Sequence, residues 1–462
     1  MKIIVCVRQG ADGELSPFDA CAYEEALKIK DAEITLLSMG PPAVSDLLLR
    51  LTRLGAKRAI LLSDTAFAGA DTLATAYTLS LAIKKLSPDL IFCGRQTLVG
   101  DTAQVGPMLS VFAETSLITN VMAIKSVNGV ITCDTRSEGE KSAKLPALLT
   151  IERINNLRLP SITSKVGEVE VWSAKDIDAD TSKCGLSGSP TRVIETTENT
   201  SGRRRCKFIS ASELNSVIES ALKKPLKETE AEISENKLNR VLCITAKPYG
   251  YAKTVSDNVV FCETLKVDGV ISAIKAEKPD AVLFGSDDPS KRTAALVAAK
   301  LKSGLCADCT KLSTDGETLY MIRPALSGSV MAKIKSLSAP AMATVRTTQN
   351  AGNIVVAAGF GVRDSLEGVK AFANNLGAAL AASRKAVDND ILPYKYQVGL
   401  TGKTVSPAVY IAIGISGAVH HIVGMDKAGT VIAVNPDRNA NVFDYADYGI
   451  VDKFENVVGG IL

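Results

Sequence analysis

SPDLIFCGRQTLVGDTAQVGPMLSVF, residues Ser87 to Phe112, contains the pattern from which the fold class follows. A Pro-Asp pair precedes a short apolar run, Leu90 to Cys93, which is typical of a buried strand, and a polar loop then leads into a helical pattern. The same order of features returns in KPDAVLFGSDDPSKRTAALVAAKL, Lys278 to Leu301. The two copies predict strand-loop-helix units, and therefore parallel sheets covered by helices.

Strand and helix patterns alternate through about the first 115 residues, at the spacing expected of such units. Strands are predicted at Ile3 to Val7, Ile34 to Ser38, Ala59 to Ser63 and Leu90 to Cys93. Helices are predicted at Tyr23 to Lys30 and at Thr72 to Leu86, the second with Asp71 as its N-cap. Later β-rich stretches, Gly129 to Cys133 and Leu148 to Ile151, can extend the same sheet. The predicted fold class is α/β with doubly wound parallel sheets.

The chain is long enough for several domains, and changes of pattern suggest where they end. Residues 1–224 are predicted to form a nucleotide-binding domain, and the charged stretch 225–240 a linker. Residues 241–338 are a reduced second copy, because only one strand pattern, Val241 to Thr245, precedes the repeat. Residues 339–462 alternate strongly again and form a C-terminal domain.

Composition excludes several classes of protein. The 462 residues are 46% hydrophobic and 22% charged, and no apolar run approaches the length of a membrane span. The net charge of +3 gives no basic field for nucleic acid, and Arg203 to Arg205 is the only dense basic cluster. The ten cysteines favour reduced thiols over a disulfide framework. We predict a cytoplasmic protein without membrane insertion.

Four successive strand patterns in the last third end at a glycine or a small polar residue. These ends are Ala358-Gly359, Ala382-Ser383, Ile413-Gly414 and Val434-Asn435. Ligands bind beyond the carboxyl ends of parallel strands, so four such ends in a row indicate a ligand of dinucleotide size. The alternative is that these glycines only serve tight turns. His420 and His421 follow the third end, but no metal site is predicted because adjacent helical side chains diverge and no third ligand is suitably spaced.

The loop GRQTLVGDTAQVGP, Gly94 to Pro107, follows a strand and opens a helix, so its backbone N–H groups and the Thr102 hydroxyl are placed to receive phosphate. A second nucleotide is therefore predicted, with Ser16 to Asp19 and Ser38 to Gly40 closing over its adenosine. Cys306-Ala-Asp-Cys309 has the spacing of a redox motif, but a structural role is favoured because no thioredoxin-like setting accompanies it.

Several motifs resemble the electron-transfer flavoprotein family. MKIIVCVRQG, PFDACAYEEALKIKD, GRQTLVGDTAQVGP and GLSGSPTRV resemble its beta subunit over nearly all of residues 1–224. TGKTVSPAVYIAIGISGAVHHIVGM, AVNPDRNANVF and ADYGIV resemble the FAD domain of its alpha subunit, of Rossmann-like or DHS-like type, over about residues 325–462. Residues 241–324 resemble a shortened first domain of the alpha subunit. The chain thus resembles a beta-alpha fusion of two normally separate subunits.

The resemblance implies an FAD in the C-terminal domain. Arg384 would face the reactive side of the isoalloxazine, where its permanent charge raises the reduction potential, and His421 would approach the pyrimidine edge. The implied FAD contacts are Ser383, Arg384, Gln397, Val398, Gly399, Leu400, Thr401, Ser416, Gly417, Ala418, Val419, His420, His421 and Asn435.

Family members bind either AMP or a second FAD in the beta-like domain. With AMP, a single FAD shuttles electrons from dehydrogenases, whereas some relatives with two FADs bifurcate electrons from NADH. The implied contacts of this second nucleotide are Cys6, Ser16, Pro17, Phe18, Asp19, Met39, Gly94, Gln96, Gly100, Asp101, Thr102, Gln104 and Val105.

The chain departs from the family pattern at four places. Phe360 replaces the arginine of a Gly-Gly-Arg-Gly turn, Lys453 replaces an aspartate after ADYGIV, and Val99 replaces an acidic residue in the beta-like loop. The partner-recognition loop after Leu159 to Ile162, TSKVGEVEVW, is short and nearly uncharged. The isoalloxazine half of the FAD site is therefore expected to be intact, and the phosphate and adenine half to be altered.

The leading functional hypothesis is an electron carrier. Its FAD would accept electrons from a flavin dehydrogenase, such as an acyl-CoA dehydrogenase of fatty acid beta-oxidation, and pass them on after a domain movement about residues 339–350. One alternative is a bifurcating NADH oxidoreductase with two FADs. Another is a nucleotide-binding scaffold without electron transfer, which the departures at Phe360 and Val99 would suit.

Overall fold

The computed structural model describes residues 1–10, 12–97, 100–199, 202–224, 233–348 and 351–458. The strands are β1 (Lys2–Cys6), β2 (Glu33–Met39), β3 (Arg58–Leu62), β4 (Leu90–Gly94), β5 (Ser116–Val127), β6 (Val130–Thr135), β7 (Gly139–Lys144), β8 (Ala147–Ile151), β9 (Glu168–Trp172), β10 (Thr191–Glu198), β11 (Lys207–Phe208), β12 (Val241–Ile244), β13 (Val259–Cys262), β14 (Ala281–Phe284), β15 (Leu305–Cys309), β16 (Lys311–Thr314), β17 (Leu319–Ala325), β18 (Val330–Ser336), β19 (Ala341–Val345), β20 (Ile354–Ala358), β21 (Ala379–Ala382), β22 (Val409–Ile413), β23 (Thr430–Val434) and β24 (Tyr448–Ile450). The α-helices are α1 (Pro17–Leu27), α2 (Val44–Thr52), α3 (Thr72–Leu86), α4 (Val105–Phe112), α5 (Leu214–Leu222), α6 (Tyr249–Val255), α7 (Val267–Glu277), α8 (Asp288–Leu301), α9 (Leu366–Asn375), α10 (Arg384–Asp388), α11 (Val419–Ile422) and α12 (Phe454–Val458).

The first sheet has nine strands in the order β7-β6-β5-β8-β4-β1-β2-β3-β9. Its centre is parallel, and successive residues of β1 face different cores: Ile4 packs on one side of the sheet, and Ile3 and Val5 on the other. Burial on both faces explains the continuous apolar runs of these strands. The predicted strands of this sheet are confirmed to within a residue or two, including its extension by β6 and β8.

Two predictions near the chain's start and middle were wrong in detail. α1 begins at Pro17 rather than at Tyr23, because the proline occupies the first helical turn, where its missing N–H costs nothing. The second sheet, β13-β12-β14-β19-β15, has a further strand before the repeat: β13, Val-Val-Phe-Cys, is an edge strand of only four residues, none of them buried. The repeat itself is confirmed, since β14 and α8 correspond to β4 and α4.

The third sheet runs in the order β11-β24-β23-β22-β20-β21, and all of its paired strands are parallel. The strands β10-β18-β17-β16 form a fourth sheet. The α/β fold class with parallel sheets is therefore confirmed. No helix within the described ranges combines the length and the apolar character needed to cross a bilayer.

The chain divides into two compact units. The first comprises Met1–Thr196, Glu232–Leu326 and Ala332–Arg346, and the second comprises Thr197–Ala231, Ser327–Met331 and Thr347–Leu462. β11 and α5 belong to the second unit, because β11 pairs with β24 and α5 packs in the core of the third sheet. The predicted domain limits stay a prediction. Residues 225–232 of the predicted linker, 349–350 of the predicted hinge, and Val99 lie outside the described residues.

Candidate functional site

The carboxyl ends of β21, β20, β22 and β23 lie side by side at one edge of the third sheet. Each strand pairs in parallel with the next, in the order given. The residues that follow these ends are Ser383, Gly359, Gly414 and Asn435. The four strand ends predicted from the sequence are therefore adjacent, as a site for one long ligand requires.

Glycines at this edge let three loops approach one another closely. Gly414 and Gly417 have φ of +63° and +88°, which side chains rarely adopt. A Cβ at Gly417 would overlap the backbone nitrogen of Val442, and a Cβ at Gly359 would overlap the carbonyl oxygen of Gly414. Backbone packing alone thus accounts for two of these glycines, in agreement with the tight-turn interpretation. The same packing places two glycines, Gly414 and Gly417, in the loop after β22, where a dinucleotide could approach the backbone.

The turn Gln397 to Thr401 connects the end of β21 with α11. The Val398 N–H donates to the carbonyl of Ala382 at 2.9 Å, and the Leu400 N–H donates to the carbonyl of His420 at 2.6 Å. Gln397 Nε2 also donates to Thr401 Oγ1 at 2.6 Å, within the turn. The turn is therefore held between the end of β21 and the histidines of α11. Sequence reasoning placed these residues at one site without predicting these bonds.

His421 is enclosed by the protein and is held neutral. Its side chain is 5% exposed, and burial lowers its pKa to about 4. The Nε2 atom lies 2.9 Å from the hydroxyl oxygen of Tyr410 in β22. The Nδ1 atom makes no hydrogen bond of good geometry with the described residues. The backbone of Val398 lies close to the ring and raises the pKa of His421, but less than burial lowers it. If Tyr410 donates to Nε2, then Nδ1 carries the proton and needs an acceptor, which suits a carbonyl oxygen of a flavin.

Ser383 and Arg384 form the start of α10. Ser383 Oγ accepts the Ala386 N–H at 3.3 Å, and Arg384 Nε lies 3.3 Å from Asp388 Oδ2. The pKa of His420 is lowered by burial and then by the positive charge of Arg384. The positive charge of Arg384 therefore reaches His420, as expected if both residues face one cofactor.

Other predicted residues at this edge have structural partners. Asn435 Nδ2 donates to the Ile415 carbonyl at 2.9 Å and its Oδ1 accepts the Asp437 N–H at 2.9 Å. The Ser416 carbonyl accepts the Val442 N–H at 3.1 Å. These bonds hold the Gly-rich loop and the loop after β23 in place, whether or not a ligand is bound. Gly417, Ala418 and Val419 complete the loop that leads into α11.

Two residues of this site carried no usable signal in the sequence. Tyr410 was predicted only as part of a strand. The hydrogen bond between its hydroxyl group and His421 depends on a tertiary contact, which the sequence does not indicate. Lys385 was not singled out in the sequence, but its Nζ lies 4.6 Å from the centre of the Phe360 ring. At Lys453, the other departure, the backbone N–H donates to Asp452 Oδ1 at 2.7 Å.

The predicted second nucleotide site borders the ends of β1, β2 and β4 in the first unit, which are neighbouring parallel strands. Asp19 lies there, but its carboxylate accepts the Arg8 N–H at 2.9 Å and the Gly94 N–H at 3.1 Å. Burial raises the pKa of Asp19 to about 7. Asp19 therefore clamps two strand ends together. Cys6, another predicted contact, is directly opposite Cys93 in the register of β1 and β4.

The loop after β4 is shaped by its own side chains. Gln96 Nε2 donates to Asp101 Oδ1, and the Asp101 N–H donates to the Thr97 carbonyl at 2.9 Å. Gln104 Oε1 accepts the Thr72 hydroxyl at 2.8 Å, whereas its buried Nε2 has no hydrogen-bond partner among the described residues. An unpaired buried donor beside the predicted phosphate loop fits an anionic ligand.

The remaining predicted contacts of the second nucleotide occupy the same three strand ends. Met39 ends β2 and Gly94 ends β4. Ser16, Pro17 and Phe18 begin α1, Gly100 and Thr102 lie in the loop after β4, and Val105 begins α4.

Two family models match the chain. The model described as "Electron transfer flavoprotein domain" matches residues 3–177 and 265–364, which together are more than half of the chain. The model described as "Electron transfer flavoprotein FAD-binding domain" matches residues 349–426, which include β20, β21, β22 and α11. The site at the edge of the third sheet thus coincides largely with the matched FAD-binding domain.

Similar proteins include both subunit types. The chain is 42% identical over 207 residues to protein FixA of Azorhizobium caulinodans, covering 40% of this chain and 74% of the relative. It is 42% identical over 200 residues to electron transfer flavoprotein subunit beta of Clostridium acetobutylicum, covering 40% and 76%. It is also 32% identical over 257 residues to subunit alpha of Bacillus subtilis, covering 45% and 79%. The chain therefore belongs to the electron transfer flavoprotein family, and it combines beta-type and alpha-type sequence in one polypeptide.

Proposed function

We propose that this protein carries electrons on one FAD, bound at the edge of the third sheet, between a flavin dehydrogenase and a second redox partner. One observation supports this most: the end of β21, the Gln397 to Thr401 turn and the carbonyl of His420 are joined by hydrogen bonds around one edge. Bound FAD would supply the ring that takes up and releases electrons. The residues of the chain hold that ring and set its electrostatic surroundings.

Arg384 and His421 would act on the cofactor in different ways. Arg384 keeps a full positive charge at any physiological pH, so it stabilises a ring that has gained negative charge. His421 is neutral near pH 7 because its pKa is about 4, and it acts as a hydrogen-bond donor rather than as a charge. Neither residue forms a bond with an organic substrate.

AMP or a second FAD would occupy the ends of β1, β2 and β4. The unpaired Gln104 Nε2 supports an anionic ligand at the loop after β4. Asp19 supports the site indirectly, because it fixes the backbone at Arg8 and Gly94. These contacts do not distinguish the two nucleotides, so the number of flavins per chain decides between a simple carrier and a bifurcating NADH oxidoreductase.

The electron donor would dock through the loop that follows β8. Leu159 and Ile162 are 89% and 98% exposed, which is unusual for large apolar side chains at neighbouring positions. Two exposed apolar side chains favour a partner with an apolar recess, such as a flavin dehydrogenase of the acyl-CoA dehydrogenase class.

Counting the cofactors of the purified protein tests this proposal. We expect a flavin absorption spectrum, one FAD per chain, and AMP released on denaturation. The protein should be reduced by a partner dehydrogenase and then reoxidised by an electron acceptor. Two FADs with reduction by NADH would favour the bifurcating alternative. A protein that neither retains nor takes up FAD would contradict the proposal and favour the scaffold.

A further inference from the structure

Phe360 lies between two cationic side chains in the turn after β20. Lys385 Nζ is 4.6 Å from the centre of its ring, and the guanidinium carbon of Arg363 is 4.9 Å from it. Both distances are within the range in which the negative face of an aromatic ring attracts a cation. The position where the related family turn has an arginine thus holds an aromatic ring with positive charges beside it.

Lys385 differs from Arg384 and Arg363 because no carboxylate in the described part of the chain lies within ion-pair distance of it. Arg384 is paired with Asp388 at 3.3 Å, and Arg363 Nε lies 3.4 Å from Asp364 Oδ2. Within the described residues, Lys385 makes no ion pair, and its side chain contacts the Phe360 ring instead. Lys385 therefore has its full charge available for an anion.

The turn that carries Phe360 is packed directly against the Gly-rich loop. The Gly359 N–H donates to the Ile413 carbonyl at 2.7 Å, and the Gly361 N–H donates to the Gly414 carbonyl at 3.2 Å. In a parallel sheet, the glycine loop after a central strand is where backbone approaches the diphosphate of a dinucleotide. The charge of Lys385 is consequently presented beside that loop.

We propose that Lys385, seated on the Phe360 ring, is the residue that neutralises the diphosphate of the dinucleotide at this edge. The inference rests on the proposed function, because it needs a dinucleotide at the third sheet. The positive charge would come from Lys385 in α10, which would help to determine specificity for a dinucleotide. The turn after β20 would contribute only the Phe360 ring, against which the Lys385 side chain packs.

Titration of the cofactor-free protein with FAD and with riboflavin, which lacks both phosphates, tests the assignment. Lys385→Ala should weaken FAD binding about tenfold at low salt. It should also make the affinity for FAD less dependent on salt, while leaving that for riboflavin unchanged. Phe360→Arg in the Lys385→Ala background should restore FAD affinity, because it returns a cation to the same place.

Lys333→Ala is the matched control, since Lys333 Nζ lies 4.7 Å from the Tyr320 ring in a different sheet. It should leave FAD affinity unchanged. Lys385→Gln tests the same charge with less loss of side-chain volume. Equal FAD affinity of the wild type and both Lys385 variants would overturn the assignment, as would an equal loss for riboflavin. Failure of the wild type itself to bind FAD would instead reject the proposed function.

Discussion

Arg384 shows how one side chain can set the chemistry of a bound cofactor. The Arg384 guanidinium is paired with Asp388 at 3.3 Å, and these two side chains are 20% and 29% exposed. Its charge still reaches His420, whose pKa it helps to lower. A cofactor in contact with both residues would experience the same positive potential.

Replacing Arg384 with alanine should lower the reduction potential of bound FAD. The lost interaction favours the reduced, more negative ring, and 1.4 kcal/mol of such an interaction is equivalent to about 30 mV for a two-electron couple. Arg384→Lys keeps a charge and should recover part of the potential. Arg438→Ala removes a charge that lies 4.8 Å from the Phe208 ring, and serves as a control. Spectroscopic titration against reference dyes measures the potential, and an unchanged value in an Arg384→Ala protein that binds FAD would contradict the role of Arg384.

At the scale of elements, the Gly-rich loop after β22 is defined by its backbone. Gly417 combines a φ of +88° with a position where a Cβ would overlap the backbone nitrogen of Val442. Two separate costs therefore oppose any side chain there: an unfavourable dihedral angle and a steric overlap with backbone that cannot rotate away.

Gly417→Ala should destabilise the second unit by about 3 kcal/mol or more, and weaken FAD binding. Gly352→Ala is a matched control, because Gly352 has a φ of +85° but no heavy atom within 4 Å of a Cβ. Gly352→Ala should lower the free energy of unfolding only through the unfavourable φ angle, by about 1–2 kcal/mol. Urea unfolding followed by circular dichroism gives both values. If the two variants were equally stable, the overlap with Val442 would not determine the shape of the loop.

Local signals predicted the elements well where those signals were strong. α3 has the predicted limits because Asp71 caps it, accepting the N–H groups of Leu73 and Ala74, and because Ser87 ends it in the left-handed region. β13 was missed although its residues, Val-Val-Phe-Cys, favour a strand, because a run of only four residues is a weak signal. The contact of Lys385 with Phe360 could not be predicted either, since it depends on how α10 packs against the turn after β20. The strand ends, by contrast, followed from the apolar runs that precede them.

At the scale of the whole molecule, each compact unit contains, beside a candidate nucleotide site, an enclosed titratable side chain whose pKa crosses the range between about pH 4 and pH 7 when the protein folds. Asp19 in the first unit has a pKa raised from 3.8 to about 7, and His421 in the second has one lowered from 6.5 to about 4. Burial causes both shifts, because it disfavours the charged form of either group. The consequences for stability have opposite signs.

The first unit should become more stable as the pH falls from 7.5 to 5, and the second less stable. Folded Asp19 takes up a proton near pH 7, which its unfolded form does not bind until about pH 4. Unfolded His421 takes up a proton near pH 6.5, which its folded form rejects down to about pH 4. Each effect amounts to about 2 kcal/mol over this interval. Trp172, the only tryptophan of the chain, reports unfolding of the first unit, and amide hydrogen exchange in β22 reports opening of the second.

Variants separate these contributions from those of other groups. Asp19→Asn should remove about 2 kcal/mol from the pH dependence of the first unit's stability, which Trp172 reports, and leave that of the second unit unchanged. His421→Gln should remove about 2 kcal/mol from the pH dependence of the second unit's stability, which the β22 amides report, and leave that of the first unit unchanged. The comparison concerns the slope with pH, so a uniform loss of stability in either variant does not affect it. A His421→Gln protein whose β22 amides kept the wild-type slope would show that folding does not lower the pKa of His421. The imidazole would then take up a proton near pH 6.5 in the folded state as well, and its role as a neutral hydrogen-bond donor would hold only above that pH.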